Sequence, residues 1–252
     1  ILATNTSALP IHELADSISH PERLIGIHFF NPVPRMKLVE VVRTSTTSDT
    51  TVAAALKFVQ SIGKLPVLVN DSPGFVVNRI LLPYLVRAGE LFSEGHDPDT
   101  IDKAMLDFGM PMGPLRLLDE IGLDVALHVA QTLSDAFPDR MRVPEVLNTL
   151  ISKDLLGRKS KAGFYLYQNG KIQANPSIQP GVSPKRSSTA IKEELVRLMS
   201  IEAAMCLDEG VAASAQEIDF AMVMGSGYAP FRGGPLRYAH DSQILNRNFY
   251  ND

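Results

Sequence analysis

The 252-residue chain contains one cysteine, Cys206, so no disulfide can form within it. Cys206 sits in a helical pattern with no activating motif around it and reads as a small buried apolar residue rather than a nucleophile. A reducing compartment is compatible with this usage and is not required by it. Long apolar runs are also missing: the most apolar stretch, Ile80 to Val86, is closed by Arg79 and Arg87 and falls far short of the ~20 residues that span a bilayer. No stripe of one charge exists either. The 24 Lys and Arg are scattered among 28 Asp and Glu, giving a net charge of −4, and this excludes nucleic acid and anionic membrane as favoured partners. Dinucleotide and metal signatures are absent in the same way. Gly225-Ser226-Gly227 has no preceding strand and no third glycine, and His12-Glu13 is followed by Asp16 where a zinc protease helix would carry its second histidine. No metal site is read from the chain.

What is present organises into an α/β part followed by an all-α part. Apolar segments at Ile1 to Ala3, Arg23 to Phe29, Lys37 to Val42 and Leu65 to Val69 predict strands, with helices near Pro10 to Ile18 and Thr50 to Ile62. In the second of these helices Val52, Ala55, Leu56, Val59 and Ile62 recur at helical spacing, and Gly63 follows as a left-handed terminator. Ser72-Pro73 predicts the N-terminus of a long helix running to Ser93. Asp97-Pro98 and Gly113-Pro114 start two more, and residues 73 to 157 read as helical throughout. Lys171 to Arg186 lacks periodicity and reads as a linker before a helix from Ala190 to Leu207. Three segments result, 1–72, 73–168 and 169–252. Ile1 to Ser7 already reads as a strand entering a polar turn, so the chain is expected to start inside a domain, as a piece of a longer or processed protein.

The third segment repeats the second. Glu94-Gly95, Asp97, Ile101-Asp102 and Gly113-Pro114-Leu115-Arg116 correspond to Glu209-Gly210, Ser214, Ile218-Asp219 and Gly234-Pro235-Leu236-Arg237. In both copies the cap lies five residues before the aspartate, and Ser214 with Glu217 forms a capping box. Chance similarity of two amphipathic helix pairs is the alternative.

The chemistry concentrates in His28-Phe29-Phe30-Asn31-Pro32 and Lys37-Leu38-Val39-Glu40-Val41-Val42. A carboxylate in the middle of an apolar strand needs a hydrogen-bonding or charged partner, and an imidazole near the end of the preceding strand can supply one. His28 should end a strand parallel to its neighbours, and ligands of open α/β sheets sit beyond the carboxyl ends of such strands. The pair then reads either as a general base with its orienting acid or as a structural pair. Ser7, just past the first strand, and Asn78, in Gly74-Phe75-Val76-Val77-Asn78-Arg79, can donate to a substrate oxygen; a capping serine and a solvent-facing asparagine are the plainer readings. Gly157-Arg158-Lys159-Ser160-Lys161-Ala162-Gly163-Phe164-Tyr165 is a basic turn that leads into an extended segment, so it reads equally as a phosphate contact or a solvated turn.

Taken with Asn5-Thr6-Ser7, Asp71-Ser72-Pro73-Gly74-Phe75-Val76-Val77-Asn78-Arg79 and Pro111-Met112-Gly113-Pro114, these motifs resemble the 3-hydroxyacyl-CoA dehydrogenase part of the multifunctional fatty-acid β-oxidation enzymes, from Ile1 to about Asp241. The resemblance implies the C-terminal part of a Rossmann-type NAD-binding domain followed by two repeated helical dehydrogenase domains. It also implies oxidation of an L-3-hydroxyacyl-CoA by NAD in the cytoplasm, or in a peroxisome or mitochondrion in a eukaryote. His28 matches the family's base and Glu40 the acid that orients it. Ser7 and Asn78 match residues around the substrate oxygen, Ser7, Asn31 and Lys159 match cofactor contacts, and Tyr238 matches a substrate-side position. The two helical copies would pair within the chain, and a thiolase subunit is the partner the multifunctional type implies.

Departures accompany the match. The family's glycine-rich loop would precede Ile1 and lies outside this sequence. Lys161 stands where the family's basic turn carries glycine, and residues 242 to 252 match nothing in the family. Two other readings therefore stand beside the dehydrogenase: a catalytically deficient acyl-CoA-binding or assembly fragment, and a related 3-hydroxyacid dehydrogenase acting on a free acid.

Overall fold

A computed structural model describes residues 1–7, 10–182 and 186–250; residues 183–185 of the predicted linker and the last two of the unmatched tail lie outside it. Strands β1 (Leu2–Thr4), β2 (Leu24–Phe29), β3 (Leu38–Arg43) and β4 (Leu65–Asn70) form one sheet in that order. β2 and β3 are buried almost throughout, as their near-continuous apolar sequences require of strands covered on both faces. β1 pairs parallel with β2 across helix α1 (Ile11–Ala15), and β3 pairs parallel with β4 across helix α2 (Asp49–Ser61). α2 is capped by the Ser48 hydroxyl, which accepts from the Thr51 amide at 3.2 Å, and it buries Val52, Ala55 and Val59 against Ile25, Ile27, Val39 and Val41.

Between β2 and β3 the pairing is antiparallel. This corrects the expectation that His28 ends a strand parallel to all its neighbours. Only residues 30–37 join the two strands, and a parallel crossover needs a dozen residues or more. A second correction concerns helix α3, which spans Val77–Ser93 and so begins after Ser72-Pro73 rather than at it. Gly74 and Phe75 both adopt left-handed backbone, at φ +73° and +51°, and a helix cannot start through them.

The remaining helices are α4 (Pro98–Phe108), α5 (Pro114–Ile121), α6 (Leu123–Ala136), α7 (Glu145–Ile151), α8 (Ser188–Asp208), α9 (Ala215–Ser226) and α10 (Pro235–Asp241). A hairpin of β5 (Tyr165–Gln168) and β6 (Lys171–Ala174) takes the first residues of the predicted linker. Its two-residue turn, Asn169-Gly170, has φ +51° and +72°, the left-handed pair that an Asn-Gly hairpin turn requires. By packing, the chain divides into two compact units, residues 1–80 with 200–252 and residues 81–199. The sequence division at 72 and 168 cuts differently, because α3 and α8 each run continuously through a unit boundary.

The repeat is physical. In the second unit the Asp102 carboxylate accepts from the Leu115 and Arg116 amides at 2.8 and 3.0 Å. In the first unit Asp219 accepts from the Leu236 and Arg237 amides, both at 2.8 Å. Each aspartate thus caps the helix that begins at the Gly-Pro of its own copy, and the glycine is there to let the carboxylate in: a Cβ on Gly113 or Gly234 would lie 2.2 or 2.4 Å from it. Tyrosine hydroxyls complete both sites. Tyr165 donates to Asp102 at 2.9 Å, and Tyr250, from the tail that sequence left unassigned, donates to Asp219. The leading helices of the copies, α3 and α8, are also tied reciprocally. Aligned on Glu94-Gly95 and Glu209-Gly210, Arg79 shares a repeat position with Glu194 and Arg87 with Glu202. The contacts are crossed: Arg79 Nε to Glu202 Oε1 at 2.7 Å in the first unit and Arg87 Nε to Glu194 Oε1 at 2.7 Å in the second.

Burial pushes the carboxyls of Asp102 and Asp219 up to about 6, against the opposing effect of the amide and tyrosine donors. A carboxyl that binds its proton more tightly folded than unfolded stabilises the fold fully below about pH 4, and that contribution is lost as the pH rises through 6. A difference of about 2 pH units corresponds to about 3 kcal/mol. Comparing chemical denaturation of the wild type with Asp102→Asn at pH 4 and pH 7 should therefore show their stability difference shifting by about 2–3 kcal/mol, the wild type gaining on the variant at the lower pH. A pH-independent difference would refute this.

Candidate active site

The antiparallel register sets His28 directly opposite Glu40, and the His28 Nδ1 to Glu40 Oε2 distance is 2.7 Å. Glu40 is fully buried and His28 nearly so. An isolated carboxylate in such a place would be very costly, so its remaining oxygen matters as much as the histidine. That oxygen, Oε1, accepts from the backbone amides of Val76 and Val77, each at 3.1 Å. These are the opening amides of α3, so the positive end of a helix of 17 residues faces the acid. Glu40 does the capping that sequence assigned to Ser72.

The turn ahead of α3 is shaped for that contact. Phe75 holds φ +51°, a conformation that costs a non-glycine residue about 1–2 kcal/mol. Its ring is buried and stands 5.4 Å from the imidazole, while Phe30 meets the same imidazole edge-on at 4.6 Å. The histidine is thereby walled with aromatic carbon on two sides. The same loop spreads its other side chains over the rest of the sheet edge. Asp71 accepts from the Ile11 and His12 amides at 3.1 and 2.8 Å, capping α1. Asn78 donates to the Ser7 carbonyl at 3.2 Å, and Arg79 donates to the Ser72 hydroxyl at 3.0 Å.

Four of the sequence-predicted residues are therefore brought together around one loop: His28, Glu40, Asn78 and Ser7. Ser7 is exposed beyond β1, and Asn31 is exposed two residues past the end of β2. Tyr238 lies on α10 under the Arg232 guanidinium at 5.1 Å. It lines a hollow of about 450 Å³ with Phe231, Arg232 and Arg237, a lining that includes none of the other four. Lys159 belongs to the other unit, in a single 3₁₀ turn, and is paired with Asp124. Lys161, standing in for the family's glycine, takes the left-handed conformation itself at φ +63°. The motif Gly163-Phe164-Tyr165 has a local structural use. The Phe164 and Tyr165 amides donate to Asp119, both at 2.9 Å, and a Cβ on Gly163 would collide with that carboxylate.

Sequence reasoning missed the role of Arg79, which is wholly buried and held by Glu202 and Glu209, each at 2.7 Å. An arginine inside an otherwise apolar helical run was the available signal. No group of three or more metal-ligating side chains occurs among the described residues, and none of the described helices is long and apolar enough to cross a membrane.

Comparison with known proteins places this geometry. Residues 1–72 match the family described as the NAD binding domain of 3-hydroxyacyl-CoA dehydrogenase, and residues 74–167 match the C-terminal domain of the same enzyme. The 3-hydroxybutyryl-CoA dehydrogenase of Escherichia coli K12 is similar over 97% of this chain and 70% of its own, at 29% identity and a TM-score of 0.82. The (S)-3-hydroxybutyryl-CoA dehydrogenase of Ralstonia eutropha is 45% identical over 67% of this chain and 61% of its own, with a TM-score of 0.65. The dehydrogenase part of multifunctional enzyme 1 of Caenorhabditis elegans is 29% identical over 89% of this chain and 53% of its own, with a TM-score of 0.61. Two adjoining domain matches, interrupted only at Pro73, run from the first residue through the buried His28–Glu40 pair to the end of the first helical copy, and the chain belongs to the 3-hydroxyacyl-CoA dehydrogenase family.

Proposed function

We propose that the protein oxidises an L-3-hydroxyacyl-CoA to the 3-ketoacyl-CoA, with His28 as general base and Glu40 as the acid that orients it. The observation that carries this reading is the double use of Glu40. With its Nδ1 engaged by the carboxylate, the imidazole presents Nε2 as its basic nitrogen. The substrate hydroxyl proton passes to Nε2, and the carboxylate stabilises the imidazolium that forms. In this reading Asn78 and Ser7 hold the oxygen that loses that proton. NAD, when bound, supplies the hydride acceptor for the hydrogen on C3. The donor set suits such a ligand: Ser7 and Asn31 are exposed polar groups past the carboxyl ends of two parallel strands, where ligands of α/β sheets sit. Lys159 is carried as a cofactor contact by the family resemblance alone.

Several finer points belong to the same reading. The substrate is a coenzyme A thioester, by likeness to neighbours named for 3-hydroxybutyryl-CoA. A place in fatty-acid β-oxidation, beside a thiolase subunit, is favoured by the resemblance to the multifunctional enzymes. The helical copies pair within the chain, and the crossed Arg79–Glu202 and Arg87–Glu194 contacts support this. The cytoplasm is the favoured location, in keeping with a chain whose one cysteine, Cys206, is buried and can form no internal disulfide.

Replacing His28 with alanine in the full-length protein should lower kcat by about 100-fold or more, the usual contribution of a general base. Turnover within a few-fold of wild type would end the assignment. Glu40→Gln tests the orienting role separately. The amide keeps an acceptor for Val76 and Val77 but can turn its NH₂ toward Nδ1, forcing the opposite tautomer and removing the basic Nε2. A fall in kcat of roughly 10²–10⁴ with little change in KM is expected, measured by NADH formation.

A further inference from the structure

The buried ion pair between Arg79 and Glu202 lies directly behind the turn that binds Glu40. Arg79 follows Val77 by two residues and is fully buried, while Glu202 belongs to α8, 123 residues away in sequence. Burying two charges this completely is not a cheap way to stabilise a fold. The guanidinium is also used on every side: Nε on Glu202 at 2.7 Å, Nη2 on Glu209 at 2.7 Å and Nη1 on the Ser72 hydroxyl at 3.0 Å. It therefore clamps both ends of the segment Ser72 to Arg79, inside which lie the left-handed Gly74-Phe75 pair and the amides of Val76 and Val77.

Two further contacts from the second copy press on the same place. The Asn70 amide and side chain donate to the Val211 and Gly210 carbonyls at 2.8 and 2.7 Å, fixing the end of β4 just before the loop. On α9, Gly225 comes so close to Leu38 and Val77 that a Cβ there would lie 2.7 and 3.0 Å from their side-chain atoms. A strained turn keeps its conformation only where its surroundings over-determine it, and here part of those surroundings comes from residues 202–225.

We propose that Glu202 is a positioning residue for the His28–Glu40 pair, holding through Arg79 the first turn of α3 where the Val76 and Val77 amides meet Glu40. The activity arm of its test rests on the dehydrogenase reading; the spectroscopic arm does not. The crossed pair offers an internal control of the same residue types at a more exposed position. Arg87 and Glu194 occupy the partner repeat positions, but Arg87 lies eight residues further along α3, about 12 Å at the helical rise, and no site residue adjoins it.

The 252-residue chain would be examined by proton NMR for the Nδ1–H signal of His28, which the 2.7 Å contact with Glu40 should place far downfield. Glu202→Gln should displace or abolish that signal, while Glu194→Gln leaves it in place. In the full-length protein Glu202→Gln should lower kcat at least about 10-fold, a part of the general-base contribution, with KM for the acyl-CoA within about 3-fold of wild type. An unchanged signal in Glu202→Gln, or equal loss in both variants, would overturn the proposal. Should Glu202→Gln fail to fold, Glu209→Gln, at the half-exposed end of the clamp, decides by the same signal. Loss of the signal in Glu202→Gln alone, in a protein whose wild type has no dehydrogenase activity, would leave the clamp standing and defeat the proposed function instead.

Discussion

The carboxylate of Glu40 is shared between two structures that otherwise have little to do with each other. One oxygen meets His28 on the adjacent strand and the other meets the first amides of α3. Neither contact alone would justify a fully buried acid in a four-stranded sheet, since the desolvation of a carboxylate is large beside what a single hydrogen bond returns. With the helix N-terminus added, the charge is met by two N–H donors and by the dipole behind them. Sheet and helix are consequently joined at one residue, and the loop between β4 and α3 has to pass through a left-handed Phe75 to make the joint.

That joint explains why the residues of one short loop reach so many partners. Asp71 caps α1, Phe75 walls the imidazole, Val76 and Val77 bind Glu40, Asn78 reaches the Ser7 carbonyl, and Arg79 meets Glu202 of α8 and Glu209 just past its end. Strain at Phe75, about 1–2 kcal/mol by the usual cost of left-handed backbone, is small beside what these contacts hold in place. An imidazole with this kind of support has its orientation set before any substrate arrives, the preorganisation that the proposed general base requires.

How far this was legible in the sequence depends on the range of each interaction. The strands around His28 and Glu40 could be read because near-continuous Val, Ile and Leu announce buried β-structure. The antiparallel register was readable too, from the eight-residue link, although the general parallel rule for α/β sheets concealed it. The start of α3 was misplaced because Ser72-Pro73 carries the ordinary local cap signature while the group that caps the helix comes from Glu40, 36 residues back. The Asn169-Gly170 hairpin turn stood in plain view inside a segment rich in other turn formers. Lys159 owes its candidacy to resemblance alone, since the contact seen for it is with Asp124.

The duplication shows how one sequence rule can be kept while the surfaces built on it diverge. Both copies retain the aspartate, the glycine that makes room for it and the two amides it caps, so the local folding instruction is the same in each. Even the tyrosine hydroxyl is restored in the second copy from a different part of the chain, Tyr250 acting where Tyr165 acts in the first. The leading helices, by contrast, have separated their charges: Arg79 and Arg87 in the first copy face Glu202 and Glu194 in the second. Two first copies brought together in the same manner would set arginine against arginine, a repulsive arrangement answered only by the Glu90 and Glu94 carboxylates beside Arg87. In the proposed pairing within the chain, charge segregation of this kind directs each copy to its unlike partner. Once that choice is made, the second copy is in position to brace the turn on which Glu40 depends.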